Sequence, residues 1–245
     1  MFAKAGKLIN GEAIGIILEE TRYPKIPGNV GNASTYSFPV RIKYIKGLPP
    51  DWHSDEIGGS AERLHRFIET AKELEEEGVR AVTTGCGFFS VFQTETASAL
   101  KIPVFTSPLM LVPLAYRMLG GKGQVGILTA SARDLTRAYL EPAGVNDSIP
   151  IVIRGMDDSE EFNKAIMREE KDIVDIQKLE REVVSVAKTV VAENSEIEAL
   201  VLECSDMPPF ATAIQESVNL PVFDFICFIN MVYQGVVQRR YTGFM

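Results

Sequence analysis

Histidine is scarce in this chain, whose 245 residues contain two histidines, one tryptophan and three cysteines. A Ser-His-Asp hydrolase site or a zinc centre needs such side chains in defined positions. His53 lies in a proline-rich segment and His65 in an amphipathic helix pattern, so neither position indicates a catalytic triad or a zinc ligand. The sequence therefore supports neither kind of site, and we expect no metal and no cofactor.

The chain also lacks an excess of positive charge. Its 33 acidic and 25 basic residues give a net charge of −8, and the basic residues are scattered. A nucleic acid or an anionic membrane requires concentrated positive surface, so neither is an expected partner. No stretch reaches about 18 uninterrupted apolar residues, and the N-terminal segment lacks the pattern of an export signal. We therefore expect a cytoplasmic protein with reduced cysteines.

Segments rich in β-branched residues alternate with helix-period segments along most of the chain. This alternation predicts an α/β fold in which helices cover parallel sheets. The polar, proline- and glycine-rich segment Thr21–Pro39 predicts a long ordered loop, and its role stays open. The apolar run Phe225–Val237 predicts a buried helix. Strands are predicted at Ala13–Leu18, Val40–Ile45, Val79–Thr84, Val104–Thr106, Val125–Thr129, Ile149–Ile153, Ala199–Leu202 and Val222–Phe223.

Two segments, Ala81–Phe105 and Ala199–Phe223, align with each other without gaps. Each predicts a strand, a cysteine at the strand's carboxyl end, a helix and a short strand that follows a proline. The upstream strands of the two halves, each with an internal glycine, match as well. The chain thus indicates two copies of one α/β half. The aligned identities are Ala81 with Ala199, Cys86 with Cys204, Phe92 with Phe210, Thr94 with Thr212, and a shared Pro-Val-Phe.

The repeated cysteine suggests acid/base chemistry. Ligands bind outside the carboxyl ends of parallel strands, so a pseudo-two-fold packing would place Cys86 and Cys204 on opposite sides of one cleft. Each precedes a predicted helix, whose dipole should lower the thiol pKa from about 8.5 towards neutrality. One thiolate could remove a proton next to a carboxylate while the opposite thiol returns one. Backbone N–H groups after each cysteine, with close approach at Gly87, would hold the carboxylate.

Packing is the competing interpretation, because a cysteine at a strand end is often a small buried apolar residue. The repetition favours function for Cys86 and Cys204. For Cys227, inside the predicted buried helix, we expect packing.

The motifs TTGCGFF around Cys86, VLECSDMPPF around Cys204 and GILTAS at 126–131 resemble the aspartate/glutamate/hydantoin racemase superfamily over nearly the whole chain. The resemblance implies two pseudo-symmetric Rossmann-like lobes, residues 1–110 with 222–245 and residues 111–221, with the active site in the cleft between them. It also implies an amino acid or related small carboxylate as substrate and catalysis without pyridoxal phosphate or metal. We further expect a homodimer or larger homo-oligomer.

Further substrate-binding positions follow from the strand ends and the resemblance. Glutamate and aspartate racemases usually have Asn-Thr after the first cysteine, whereas this chain has Gly87-Phe88. Glutamate racemases have Thr-His after the second cysteine, whereas this chain has Ser205-Asp206. The phenylalanines suggest a more apolar wall. Arg22 could hold a carboxylate with two hydrogen bonds, although a solvated loop arginine is the alternative. The full set of expected substrate-binding residues is Thr21, Arg22, Thr84, Gly87, Phe88, Thr129, Ser131 and Ser205.

The sequence favours a cofactor-independent racemase or epimerase of an amino acid or related small carboxylate, an isomerase with Cys86 and Cys204 as opposed bases. Two alternatives remain open. One is a maleate-type isomerase or decarboxylase that uses a single cysteine, and the other is a non-catalytic protein that binds a small carboxylate. The sequence does not specify the substrate.

Overall fold

The computed structural model describes residues 6–7, 9–45 and 61–245, so His53 lies outside the described residues. Two sheets, each of four parallel strands, form the framework. The first sheet has the order β2-β1-β3-β4 and the second the order β6-β5-β7-β8, so the two halves share one topology. The strands are β1 Ile14–Glu19, β2 Val40–Ile45, β3 Ala81–Thr84, β4 Val104–Phe105, β5 Gln124–Thr129, β6 Ile151–Gly155, β7 Ile197–Leu202 and β8 Val222–Phe223.

Eight α-helices lie among these strands in the described part of the chain, joined by short 3₁₀ segments and one π-helical turn, Asn163–Met167. Helix α1 ends before Gly78, whose φ of 114° is favourable only for glycine. None of the described helices is both long and apolar enough to cross a bilayer. The helices are α1 Ala61–Glu77, α2 Gln93–Ala99, α3 Leu111–Met118, α4 Arg137–Leu140, α5 Glu160–Phe162, α6 Ile176–Glu193, α7 Ala211–Val218 and α8 Phe225–Val236.

Helices cover both faces of each sheet, which explains why the central strands are apolar on both sides. In the first sheet, Ile14 and Ile16 of β1 pack with α8, while Ile17 packs with α1. In the second sheet, β7 and β5 pack with α6 on one face and with α3 on the other. One of these clusters contains strand residues of both sheets, so the two lobes share part of their core.

The C-terminal segment divides between the lobes. Strand β8 pairs with β7 and therefore extends the second sheet, whereas the boundary predicted at residue 222 assigned it to the first lobe. Helix α8 then returns to the first lobe, where Phe225, Phe228 and Ile229 are buried.

All eight predicted strands are confirmed, with ends that shift by up to two residues, and the α/β fold with two parallel sheets is confirmed. The prediction for Cys227 is wrong. Helix α8 buries one face, and Cys227 lies on its exposed side, where its thiol hydrogen bonds to the backbone carbonyl of Asp224.

Candidate active site

A cavity of about 250 Å³ lies at the carboxyl ends of the central strands of both sheets. This volume suits one small molecule. Residues of both lobes contribute to its walls, in agreement with the rule for parallel sheets. Its described lining is Glu19, Glu20, Thr21, Tyr23, Gly85, Cys86, Gly87, Phe88, Ala130, Ile166, Met167, Arg168, Glu169, Glu203, Cys204, Ser205 and Asp206.

Cys86 is held at the end of β3 in the first lobe. It precedes the 3₁₀ helix Gly87–Phe92, and the backbone N–H of Phe88 hydrogen bonds to its sulfur. The ring of Phe88 meets the ring of Tyr139 edge-on at 4.8 Å between centroids, which fixes an apolar wall beside this thiol.

Cys204 occupies the equivalent place after β7 in the second lobe. The backbone N–H of Asp206 hydrogen bonds to its sulfur, as Phe88 does for Cys86. The Cys204 thiol also donates a hydrogen bond to the side chain of Asp206, at 3.6 Å from Oδ2. Phe88, at the equivalent position beside Cys86, has no polar side-chain atom. The two cysteines therefore have the same backbone surroundings and different side-chain partners.

The predicted loop Thr21–Pro39 reaches from the first lobe to Asp206 in the second. The Tyr23 hydroxyl donates to Asp206 Oδ2 at 2.9 Å, and Asn29 Nδ2 donates to Oδ1 at 2.5 Å. Gly28, with a φ of 99°, lies so close to Pro209 that a Cβ atom would stand 2.7 Å from the proline Cα. The loop thus closes one side of the cavity and positions the carboxylate beside Cys204.

The expected lowering of the thiol pKa is wrong. Burial raises the pKa of the Cys86 thiol well above its usual range, and the carboxylates of Glu19 and Glu203 raise it further. Burial likewise raises the pKa of Cys204, with Asp206 and Glu203 adding to the effect. Desolvation and like charges outweigh the backbone N–H groups, so the protonated thiol is favoured at both positions.

Glu203 interacts electrostatically with both cysteines and is 1% exposed. Thr129 Oγ1 donates to its Oε2 at 2.7 Å. Burial raises the pKa of Glu203 to about 7, and Glu19 and Asp206 add to the shift. Its carboxyl group is in close contact with Gly87 of the first lobe, so a Cβ atom added at Gly87 would overlap Oε1. The glycine at 87 is thus explained by close approach to a side chain.

The predicted substrate-binding residues fall into two groups. Thr21, Gly87, Phe88 and Ser205 line the cavity. The remaining four do not line it. Arg22 is exposed, and its backbone N–H donates a hydrogen bond to Glu169. The side-chain hydroxyls of the other three donate hydrogen bonds to neighbouring residues: Thr84 to the Thr106 and Cys86 carbonyls, Thr129 to Glu203, and Ser131 to Asp157.

The predicted substrate-binding residues include none of the five acidic residues of the lining and none of the segment 166–169. Glu203 and Asp206 had a signal, because the repeat aligns them with Gly85 and Phe88, where the halves differ in charge. Tyr23 and the segment 166–169 had none, because their contacts depend on how loops cross the cleft. Within the described ranges, no group of three or more His, Cys, Asp or Glu side chains is arranged for a metal ion.

Comparison with solved structures places the fold. Unliganded arylmalonate decarboxylase superposes with a TM-score of 0.61 at 15% identity, covering 94% of each chain. Allantoin racemase from Klebsiella pneumoniae gives 0.62 at 15% identity over 93% of this chain and 91% of that one. Glutamate racemase from Francisella tularensis gives 0.54 at 18% identity over 95% and 86%. The chain therefore has the fold of the aspartate/glutamate/hydantoin racemase superfamily, as the resemblance indicated.

Curated relatives carry a different chemistry from the one expected. The chain is 28% identical over 241 residues to a dimethylsulfoniopropionate lyase of Durusdinium sp. clade D, covering 96% of this chain and 78% of the relative. It is 29% identical to dimethylsulfoniopropionate lyase 3 of Emiliania huxleyi, covering 94% of this chain and 61% of that protein. No protein-family model matches the chain. The expected racemase activity, and with it the isomerase class, is wrong, because these relatives are lyases.

Proposed function

We propose that this protein is a lyase that cleaves dimethylsulfoniopropionate, or a closely related carboxylate with a cationic leaving group, by β-elimination. A base takes the proton from the carbon next to the carboxylate, and the C–H electron pair forms a carbon–carbon double bond. The bond to the positively charged sulfur breaks, and its electron pair leaves with neutral dimethyl sulfide. Acrylate is the other product.

The asymmetry of the two cysteines carries this proposal. Racemisation in both directions needs a base on each face of the substrate, whereas this elimination needs one base and no acid for the leaving group. Cys204 has a carboxylate partner in Asp206, while Cys86 has the apolar ring of Phe88 at the equivalent position. We assign the base to the thiolate of Cys204, which forms when its thiol passes its proton to Asp206 Oδ2, the acceptor of its hydrogen bond; Tyr23 orients this carboxylate.

The charge of the cavity favours a cationic group. Its described lining holds five acidic residues and one arginine, Arg168. A sulfonium group is attracted by the carboxylates of this lining. Its positive charge also offsets the repulsion that raises the thiol pKa, so the thiolate forms more readily with substrate bound. The cytoplasmic location and the homodimer or larger assembly remain predictions from the sequence.

Acrylate and dimethyl sulfide formation by the purified chain tests the proposal. We expect Cys204→Ser to lower turnover by about 10²–10⁴-fold, the usual contribution of a general base. Cys86→Ser should lower it less, and Cys227→Ser, on the exposed side of α8, should have no effect. Carbon dioxide release from an arylmalonate without acrylate formation from dimethylsulfoniopropionate would replace the proposal with the decarboxylase alternative. Equal losses from the two cavity cysteines would refute the one-base assignment.

A further inference from the structure

Glu203 is a buried titratable residue of the cavity that the elimination step above leaves unused. It directly follows β7 and precedes Cys204, and the repeat places Gly85 at the equivalent position of the first lobe. The first half therefore has no counterpart to this carboxyl group. At 1% exposure it is nearly removed from water, yet it belongs to the cavity wall.

The two oxygens of the carboxyl group have different surroundings. Oε2 accepts the hydrogen bond from Thr129, and the backbone N–H of Ala130 also hydrogen bonds to the carboxyl. Oε1 is buried without any hydrogen-bond partner among the described residues, and it faces Gly87, next to Cys86. Leaving a buried polar atom without a partner destabilises a fold, so Oε1 is a position at which a ligand group can form a hydrogen bond.

Acidic groups from several elements interact electrostatically with Glu203. They are Glu19 at the end of β1, Cys86 after β3, Tyr139 in α4, and Cys204 and Asp206 after β7. Together with burial, these groups favour the neutral carboxylic acid, whose pKa is about 7. A neutral carboxylic acid has a proton to donate, and Thr129 already occupies the opposite oxygen.

We propose that protonated Glu203 donates a hydrogen bond from Oε1 to the carboxylate of the substrate while Cys204 removes the neighbouring proton. Glu203 keeps its proton throughout. As the C–H bond breaks, negative charge moves onto the substrate carboxylate, and the hydrogen bond strengthens where this charge develops. This role rests on the proposed function, because it applies to a substrate with a carboxylate beside the reacting carbon.

The role resolves a conflict in the cavity. A substrate carboxylate would be repelled by a lining with five acidic residues and one arginine. A neutral Glu203 removes one of those charges and supplies a donor at the junction of the two lobes. The cationic end of the substrate can then face the other acidic residues of the lining, Glu19, Glu20, Glu169 and Asp206.

Two substitutions test the donor. Glu203→Gln keeps a donor at every pH, whereas wild-type Glu203 loses its proton as the pH rises through about 7. In the wild type kcat/KM should therefore fall on the alkaline side, and in Glu203→Gln this fall should disappear with less than about a tenfold loss at neutral pH. Glu203→Leu, which has no donor, should lower kcat by about 10²–10³-fold. Thermal unfolding of each variant checks that the fold persists.

An infrared measurement separates this inference from the proposed function. The carbonyl stretch of a protonated carboxyl group should be present in the wild type in mild acid, disappear above the pKa, and be absent in Glu203→Gln. Propionate, an unreactive carboxylate, should shift this band. A band that responds to propionate without any cleavage of dimethylsulfoniopropionate would support Glu203 and refute the lyase. Cleavage with no such band, or an alkaline fall retained in Glu203→Gln, would refute the role of Glu203.

Discussion

Removing the Tyr23 hydroxyl tests whether Asp206 is ionised beside Cys204. In Tyr23→Phe, Asp206 loses a hydrogen bond of 2.9 Å and keeps the bond from Asn29. A hydrogen bond to a charged group contributes about 1.5–3 kcal/mol and one to a neutral group about 0.5–1.5 kcal/mol. The free energy of unfolding should therefore fall by about 1.5–3 kcal/mol where Asp206 is ionised.

The pH dependence gives the sharper result. Burial raises the pKa of Asp206 in the folded protein, so ionisation of this residue destabilises the fold as the pH rises, and the Tyr23 hydrogen bond offsets part of that loss. The effect of Tyr23→Phe should therefore shrink to about 0.5–1.5 kcal/mol as the pH falls and Asp206 takes up a proton.

Tyr36→Phe is the matched control. The Tyr36 hydroxyl lies in the same loop and donates to the neutral carbonyl of Val30 at 2.8 Å. Its loss should cost about 0.5–1.5 kcal/mol at every pH. Urea unfolding of both variants between about pH 4 and pH 8 measures the difference. A Tyr23→Phe effect that stays constant with pH, or that matches Tyr36→Phe throughout, would refute an ionised Asp206.

Two further substitutions test contacts that shape the cavity. Gly87→Ala should destabilise the fold by about 1–3 kcal/mol and lower turnover, because its Cβ atom would overlap the Glu203 carboxyl; Gly235→Ala, whose Cβ atom meets nothing within 4 Å, should be neutral or stabilising. Equal thermal unfolding of the two variants would contradict the close approach. Lys171→Met should lower the free energy of unfolding by about 1–3 kcal/mol, because Lys171 binds both oxygens of buried Glu161 at 2.6 and 2.7 Å. The Lys171 hydrogen bond lowers the pKa of Glu161 in the folded state, so this stability is present above the unfolded carboxyl pKa and lost as the pH falls through the folded pKa. Urea unfolding at neutral and acidic pH checks this, and a loss that persists in acid would contradict it.

The fold could be predicted from the sequence because its signals are local and repeated. Central strands such as Ile14–Glu19 are apolar on both faces, and α1 ends at a glycine with positive φ. The second half repeats the strand order of the first, so each half supports the interpretation of the other. The one-strand difference at β8 arose because strand pairing across a lobe boundary has no local signal.

The candidate site could be predicted only in part. The two cysteines stood out because the repeat marks them, but the sign of their pKa shifts depends on which carboxylates the fold gathers around them. Glu19 and Glu203 approach Cys86 from other strands, and Asp206 acquires partners from a distant loop. Helix position is visible in a sequence, whereas burial and clustered charge are properties of the folded chain. The lining segment 166–169 had to come from the structure for the same reason.

The shared strand order of the two sheets has a consequence for engineering. The two halves have equivalent strands, helices and backbone N–H groups around their cysteines, while the side chains beside each cysteine differ. Each half is therefore a natural template for redesigning the other at matched backbone positions. Two aligned pairs of cavity residues differ in charge and lie outside the strands: Gly85 with Glu203, and Phe88 with Asp206. Exchanging residues between the halves at these positions would change the charge of the cavity without changing a strand.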